Sequence, residues 1–307
     1  MLLVANKGTH TVSLVDPVAE KQIASVDEDG VTGHELIASP DGKRAYVPIY
    51  GNSGVGRPGT DGQLVRVIDI EKREIVATLD FGKGVRPHCA LFNSKSGLLY
   101  ISTELDNSIS IIDPKTLKVV GAIPTGKPES HMFVLSHDGQ RGYTANVASG
   151  TISVLDLEAK RLVTVIDAAP RVQRISLSPD DRWVVTADQT KLRLVVIDTK
   201  NNTVSSSIPL PGFAYGTAFT PDGKWLVVAM PGTSQVGIVD FEQKRLVQTI
   251  PVPKSPQEVL IRPDGEVAYV SCDSQGQIAA IDLKQVKVQK LIDVASGADG
   301  LAWASKP

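Results

Sequence analysis

Short apolar runs alternate with polar turns along the whole chain, and one of these runs returns seven times. "VSLVD" ending at Asp16 recurs as "VRVID" (Asp69), "ISIID" (Asp113), "ISVLD" (Asp156), "LVVID" (Asp198), "VGIVD" (Asp240) and "IAAID" (Asp282). The aspartates are separated by 53, 44, 43, 42, 42 and 42 residues, so a single unit is repeated. Upstream of most copies stands a turn signal: "SPDG" 39–42, "SHDG" 136–139, "SPDD" 178–181, "TPDG" 220–223 and "RPDG" 262–265. Proline presets the turn and the following Asp-Gly completes it, glycine supplying a positive φ. Each unit then reads as four strands: one before the turn ("QRISL"), one after it ("WVVTA"), one ending at the aspartate, and a fourth such as "RLVQTI". No stretch carries helical periodicity over a useful length. A four-stranded unit of about 42 residues is a propeller blade. The expected fold is all-β, a seven-bladed β-propeller with four antiparallel strands per blade. The chain opens on a second strand ("LLVAN") and ends on an isolated first strand (297–304), so the N- and C-terminal strands should close the last blade and remove its open edge. Residues 1–307 are read as one domain.

Composition narrows the partners. With 42% hydrophobic residues the chain can build a sizeable core, and a net charge of −2 gives no reason to expect nucleic acid. No run of 18 apolar residues suggests a membrane span, and "MLLVANKG" does not read as a signal peptide. The compartment is cytoplasmic, or outside the cytoplasm if a leader has been removed. A monomer is expected. Two cysteines, Cys89 and Cys272, fall in blades about three apart, too far for the roughly 7 Å Cα separation that a disulfide needs, so both are expected reduced.

The repeat also aligns candidate chemistry. The residue six before the turn proline stands at the entrance of each innermost strand, and this column reads His34, His88, His131, Gln173, Tyr215, Gln257 and Asp299. The next column reads Glu35, Cys89, Met132, Arg174, Gly216, Glu258 and Gly300. Second strands return to the same mouth and end at Asn6, Ile49, Thr103, Asn146, Asp188, Met230 and Cys272, followed by Lys7, Tyr50, Glu104, Val147, Gln189, Pro231 and Asp273. One insertion, "GNSGVGRPGTDG" at 51–62, accounts for the long first spacing and lies above this mouth, where it can act as a lid with Arg57 reaching inward.

Three of the five histidines thus come from consecutive blades. His34, His88 and His131 could converge on zinc, copper, nickel or iron, a geometry that leaves a position open for activated water. They could equally bind substrate without metal, or bond neighbouring carbonyls for structure alone. His88, Glu104, His34 and His131 are the candidate catalytic residues, with Glu104 or Glu35 as general base or further ligand. Arg174, Asn146, Asp188, Tyr215, Glu258, Asp299 and Arg57 are the candidate substrate contacts, Arg174 taking an anionic group. Cys89 reads as a small buried thiol, with a nucleophile or ligand as the alternative. His10 and His137 read as solvent-facing, and the seven marker aspartates as turn caps. There is no Cys-x-x-Cys-His for covalent haem, no nucleotide loop and no nucleophile elbow.

"YTAN" 143–146, "LVAN" 3–6, "YVPI" 46–49 and "YVSC" 269–272 each precede an aspartate-terminated strand. In this the chain resembles the YVTN-repeat propellers, the YncE-like and lactonase-like seven-bladed family, along its whole length. The resemblance implies the propeller fold and a function among binding proteins, redox-cofactor carriers and lactonases. Lactonase-type propellers place Arg-His at the start of an inner strand and Asn-Glu-Leu at the end of the next. "HCALF…YISTELD" shares that layout with Glu104–Leu105, but His88 stands at the arginine position, Cys89 at the histidine position and Thr103 at the asparagine position. The expected function is small-molecule binding with hydrolase or lyase chemistry of a lactonase-like kind at a three-histidine centre. The ligand is a small polar molecule, carboxylate- or lactone-bearing. The alternative is a non-catalytic propeller binding a ligand, a metal or a protein partner on the same face.

Overall fold

The computed structural model describes residues 1–52 and 54–305; residue 53, inside the 51–62 insertion, and residues 306 and 307, at the end of the 1–307 reading, lie outside the described residues. Seven four-stranded antiparallel sheets form the blades of a propeller. We count as blade 1 the sheet in which the inner strand Ala298–Trp303 pairs with Leu2–Asn6. The inner strands of blades 2 to 7 are Ile37–Ala38, Pro87–Phe92, Ser130–Leu135, Val172–Leu177, Thr217–Phe219 and Pro256–Ile261. Both chain ends therefore build one blade, as the unpaired terminal strands of the sequence require. The described residues contain no α-helix, only three short 3-10 turns.

Turn chemistry repeats with the blades. Asp41, Asp138, Asp180 and Asp222 accept a hydrogen bond from the hydroxyl two residues before, at 2.5–2.6 Å. Gly42, Gly139, Gly223 and Gly265 then take φ between 68° and 76°. In "SPDD" the same position is Asp181, at φ 58°, a residue that tolerates this region better than most. Marker aspartates cap the hairpin turns through backbone N–H groups, for example Asp156 to Ala159 and Asp240 to Gln243. Apolar faces of adjacent sheets meet in continuous clusters, such as Val185, Leu226 and Val228 between blades 5 and 6. Each such burial stabilises the ring by roughly 1.5–3 kcal/mol.

One irregularity decides what the channel sees. The inner strands of blades 1, 3, 4, 5 and 7 all shift register against their second strands near the entrance, between Val4 and Asn6, Pro87 and Ala90, Ser130 and Met132, Val172 and Ile175, and Pro256 and Val259. A bulge re-aims side chains, so two successive residues of a bulged strand no longer point to opposite faces. This is how both entrance columns of the sequence reach one mouth.

Candidate functional site

Three rings from blades 2, 3 and 4 pack together at the mouth. His88 lies with its centroid 3.6 Å from that of His131 and 5.6 Å from that of His34. Tyr50, which follows the second-strand core of blade 2, lies 5.1 Å from both His34 and His88 and 5.6 Å from His131. Beneath them Glu104, in the 3-10 turn after Leu99–Thr103, is 2% exposed. Its Oε2 accepts the Tyr50 hydroxyl at 2.6 Å and contacts His131 Nδ1 at 3.3 Å. Its Oε1 accepts from Arg86 Nη1 and from the Gly56 backbone N–H, both at 3.4 Å.

Burial works against ionisation of Glu104, but the hydrogen bonds from His131 and Tyr50 prevail and hold its carboxyl below the usual range. Desolvation dominates for the imidazoles. His131 is lowered despite Glu104, His88 is lowered strongly, and His34 falls to about 4. All three are neutral at pH 7. An ionised Glu104 can only accept, so His131 carries its proton on Nδ1 and presents a lone pair at Nε2. His88 Nδ1 is buried without a hydrogen-bond partner among the described residues.

The three histidine rings lie side by side, His88 tilted by 33° to His131 and edge-on to His34. Among the described residues no group of three His, Cys, Asp or Glu side chains is arranged to hold a metal ion.

The insertion lies on the site through backbone groups of Gly56 and Arg57 and through the Asp61 carboxylate. Arg86, just before the inner strand of blade 3, donates from Nε to Asp61 at 2.6 Å and from Nη2 to the Arg57 carbonyl at 2.7 Å. The Arg57 side chain is exposed, and it makes no ion pair among the described residues. A cavity of about 340 Å³ opens under this loop, with Gly56, Arg57, Arg86, Glu104 and Glu129 in its wall.

The other half of the mouth is a buried charge network. Arg174 of blade 5 donates from Nη1 to Glu35 and Glu258, both at 2.5 Å, and from Nη2 to Asp299 at 3.2 Å. Its guanidinium also stacks 4.9 Å from the Tyr215 ring centroid. Lys7 bridges Asp299 and Asp273, each at 3.3 Å. Burial pushes Glu35 and Glu258 upward against the pull of Arg174, whereas Asp299 is lowered despite its burial by Lys7 and Arg174. Three carboxylates already occupy Arg174, which corrects the expectation that it takes an anionic substrate group.

Asn146 and Asp188 are corrected too. The Asn146 amide bonds Ser130, Thr144, Thr151 and Ser153, and the Asp188 carboxylate accepts from Thr190, the Lys191 backbone N–H and Arg193. A residue ending a second strand faces the third strand of its own blade, and these two brace it. Cys89 and Cys272 are free, buried thiols, and desolvation raises both, Cys272 to about 12. His10 is exposed as expected; His137 is exposed and contacts Asp181 at 2.5 Å. Arg86 is the site residue that column counting misses, because it precedes the strand; its position before Pro87 is the one local signal. Tyr50 was visible as the sole aromatic residue in the Glu104 column.

The lowered His34 has a measurable consequence. The unfolded chain binds this proton near pH 6.5 and the folded chain only near 4. The resulting stability is present above about 6.5 and is lost as pH falls toward 4. Unfolding free energies from urea titrations between pH 7 and 4 should therefore fall less steeply for His34→Gln than for the wild type, by about 1–3 kcal/mol over the range. Equal slopes would remove His34 from the acid response.

Fold and site together define a seven-bladed propeller with a polar, histidine-bearing mouth. Residues 83–202 match the model of the YNCE-like beta-propeller family. The match covers that segment, while the described residues as a whole fold as a seven-bladed propeller. The chain is 30% identical over 128 residues to Protein NirF of Stutzerimonas stutzeri, a match covering 41% of this chain and 29% of that protein. It is 26% identical over 199 residues to Antigen Lp49 of Leptospira interrogans serogroup Icterohaemorrhagiae serovar copenhageni (strain Fiocruz L1-130), covering 59% of this chain and 41% of that one. Either match thus spans less than half of the relative's length. Among solved structures, the Hydrazine Synthase of Kuenenia stuttgartiensis superposes with a TM-score of 0.79 at 20% identity, covering 91% of both chains, which speaks for the fold alone.

Proposed function

We propose that this propeller binds a small polar molecule at the histidine-bearing mouth, and that His131, oriented by Glu104, performs hydrolase or lyase chemistry on it. The observation that carries this reading is the buried Glu104 carboxylate, which orients His131 and takes the Tyr50 hydroxyl in one network. A carboxylate bonded to Nδ1–H leaves Nε2 as the base and stabilises the imidazolium formed when it accepts a proton. In hydrolysis Nε2 would take a proton from water as its oxygen attacks a lactone carbonyl, then return it to the leaving oxygen. The cavity beside Glu104, which meets the histidines only through that carboxylate, falls within the usual size of small-ligand sites, roughly 300–1,000 Å³. An anionic group on the ligand would meet Arg57, since Arg174 and Arg86 are matched by carboxylates.

The non-catalytic reading draws on the close ring contact: with His88 and His131 tilted against each other at 3.6 Å between centroids, the cluster can serve as a binding surface alone. A panel of small lactones and esters followed by pH-stat separates the two. Turnover that drops about 10²-fold or more in His131→Ala, mostly in kcat, supports catalysis. Turnover unchanged in the His34/His88/His131 triple alanine variant would sink it. If the wild type turns over none of them but its lactone-induced thermal shift disappears in His131→Ala, binding without catalysis stands. Stoichiometric zinc, copper, nickel or iron in the purified protein would return the histidines to a metal role.

A further inference from the structure

Hydrolysis by His131 leaves its nearest ring without a task. His88, at the entrance of the inner strand Pro87–Phe92, has its centroid 3.6 Å from that of His131. The two rings are nearly sealed, at 2% and 4% exposure, and half-buried His34 forms the open side of the cluster. Among the described residues only Tyr50 and His88 bring a ring against His131, and the Tyr50 hydroxyl already donates to Glu104.

The two imidazoles carry their protons on opposite nitrogens. Each is neutral at pH 7, because burial disfavours its charge, so each has one N–H and one lone pair. His88 Nδ1 is buried and meets no partner, whereas its Nε2 makes no hydrogen bond yet is not sealed off. A buried N–H without an acceptor is the costlier orphan, so the lone pair belongs on Nδ1 and the proton on Nε2. The free histidine side chain favours the same tautomer. His131 is the reverse, with Nδ1–H on Glu104 and a bare Nε2. The other donors of the mouth are engaged: both Nη atoms of Arg174 by three carboxylates, and Lys7 by Asp273 and Asp299. Arg86 is held by Asp61, Glu104 and the Arg57 carbonyl.

We propose that His88 is a second catalytic residue, whose Nε2–H holds the carbonyl oxygen of the ligand while His131 acts as the base, so that the reacting group is an uncharged ester or lactone carbonyl. This rests on the hydrolytic reading of the same mouth. The water oxygen bonds to the carbonyl carbon as His131 Nε2 takes one of its protons, and the C=O π pair moves onto the oxygen that His88 holds. That pair then re-forms the C=O, the ring C–O bond breaks, and its oxygen takes the proton back from His131, giving a hydroxy acid. An oxyanion is a stronger acceptor than a carbonyl, so the His88 bond tightens as charge develops. A carboxylate in the same place would face the His131 lone pair and ionised Glu104, which disfavours it.

The tautomers are tested without turnover. Long-range proton–nitrogen NMR spectra of the nitrogen-15-labelled protein at pH 7 should show Nε2–H for His88 and Nδ1–H for His131, assigned by their loss in His88→Gln and His131→Gln. A bare Nε2 on His88 overturns the proposal. With δ-valerolactone as substrate, His88→Ala should lower kcat about 10²-fold or more and leave KM within ~3-fold. His88→Gln, whose amide N–H reaches the same place, should recover at least ~10-fold of that loss, and the acidic limb of the pH–rate profile, set by His131, should stay in place. A loss confined to KM, or equal losses in the two variants, overturns the assignment. If the wild type does not hydrolyse δ-valerolactone, the hydrolytic reading fails and the donor is tested by binding. δ-Valerolactone should then raise the melting temperature where tetrahydropyran, the same ring without the carbonyl, does not, and His88→Ala should abolish the shift. Equal shifts with both compounds overturn the donor role.

Discussion

Arg174→Gln should destabilise the protein by about 3–5 kcal/mol at pH 8, far more than any single change at the blade surfaces. The guanidinium of blade 5 ties Glu35 of blade 2, Glu258 of blade 7 and Asp299 of blade 1 across the channel. Arg174 is 4% exposed and Asp299 likewise, so water cannot replace the lost cation. Three carboxylates would then face one another with only Lys7 near. They can respond by taking up protons. Glu35 and Glu258 already titrate high in the wild type because burial disfavours their charge, and without Arg174 they should rise further. A group raised in the folded state contributes stability that is lost as pH rises through its folded value. The penalty should therefore shrink at pH 5 and grow toward pH 8. Urea unfolding at both values checks this; a loss below about 1 kcal/mol that ignores pH would show that the network is not held by its cation.

Deleting the chain from residue 297 onward should abolish cooperative folding altogether. The strand Ala298–Trp303 supplies the inner edge of blade 1, pairing with Leu2, Leu3, Val4 and Asn6. Without it those residues become an open, apolar edge, and buried Leu301 and Ala302 leave the core. The ring would also lose Asp299 from the Arg174 network. Whole domains are stable by only about 5–15 kcal/mol, and losing an inner strand with its neighbours is a change of that order. Circular dichroism and size exclusion should show loss of the sharp thermal transition and aggregation. Asp299→Asn, which keeps the strand, separates closure from charge: it should still melt cooperatively. A truncated protein that is monomeric and melts sharply would refute the closure argument.

Some of this molecule is written in its repeats. The seven marker aspartates, the Pro-Asp-Gly turns and the unpaired terminal strands determine a propeller closed by both ends, because each is a local rule of turn or strand chemistry applied at one period. The same period places His34, His88 and His131 at one height, since equal blades bring equal positions to one mouth. Column counting also finds Glu104 and Arg174. What it does not contain is who meets whom. The Arg174–Glu35 contact joins residues 139 apart, and the Lys7–Asp299 contact joins residues 292 apart. Those pairings exist only after the ring has closed. Entrance bulges then turn adjacent residues into one channel, which a strict alternation of strand faces does not anticipate. Asn146 and Asp188 stand at the rim in sequence, yet they spend their hydrogen bonds inside their own blades. The tertiary structure alone assigned Arg174 to carboxylates, Arg86 to the insertion and His131 to Glu104, because partner choice at a mouth depends on side-chain direction and on burial, and neither has a period.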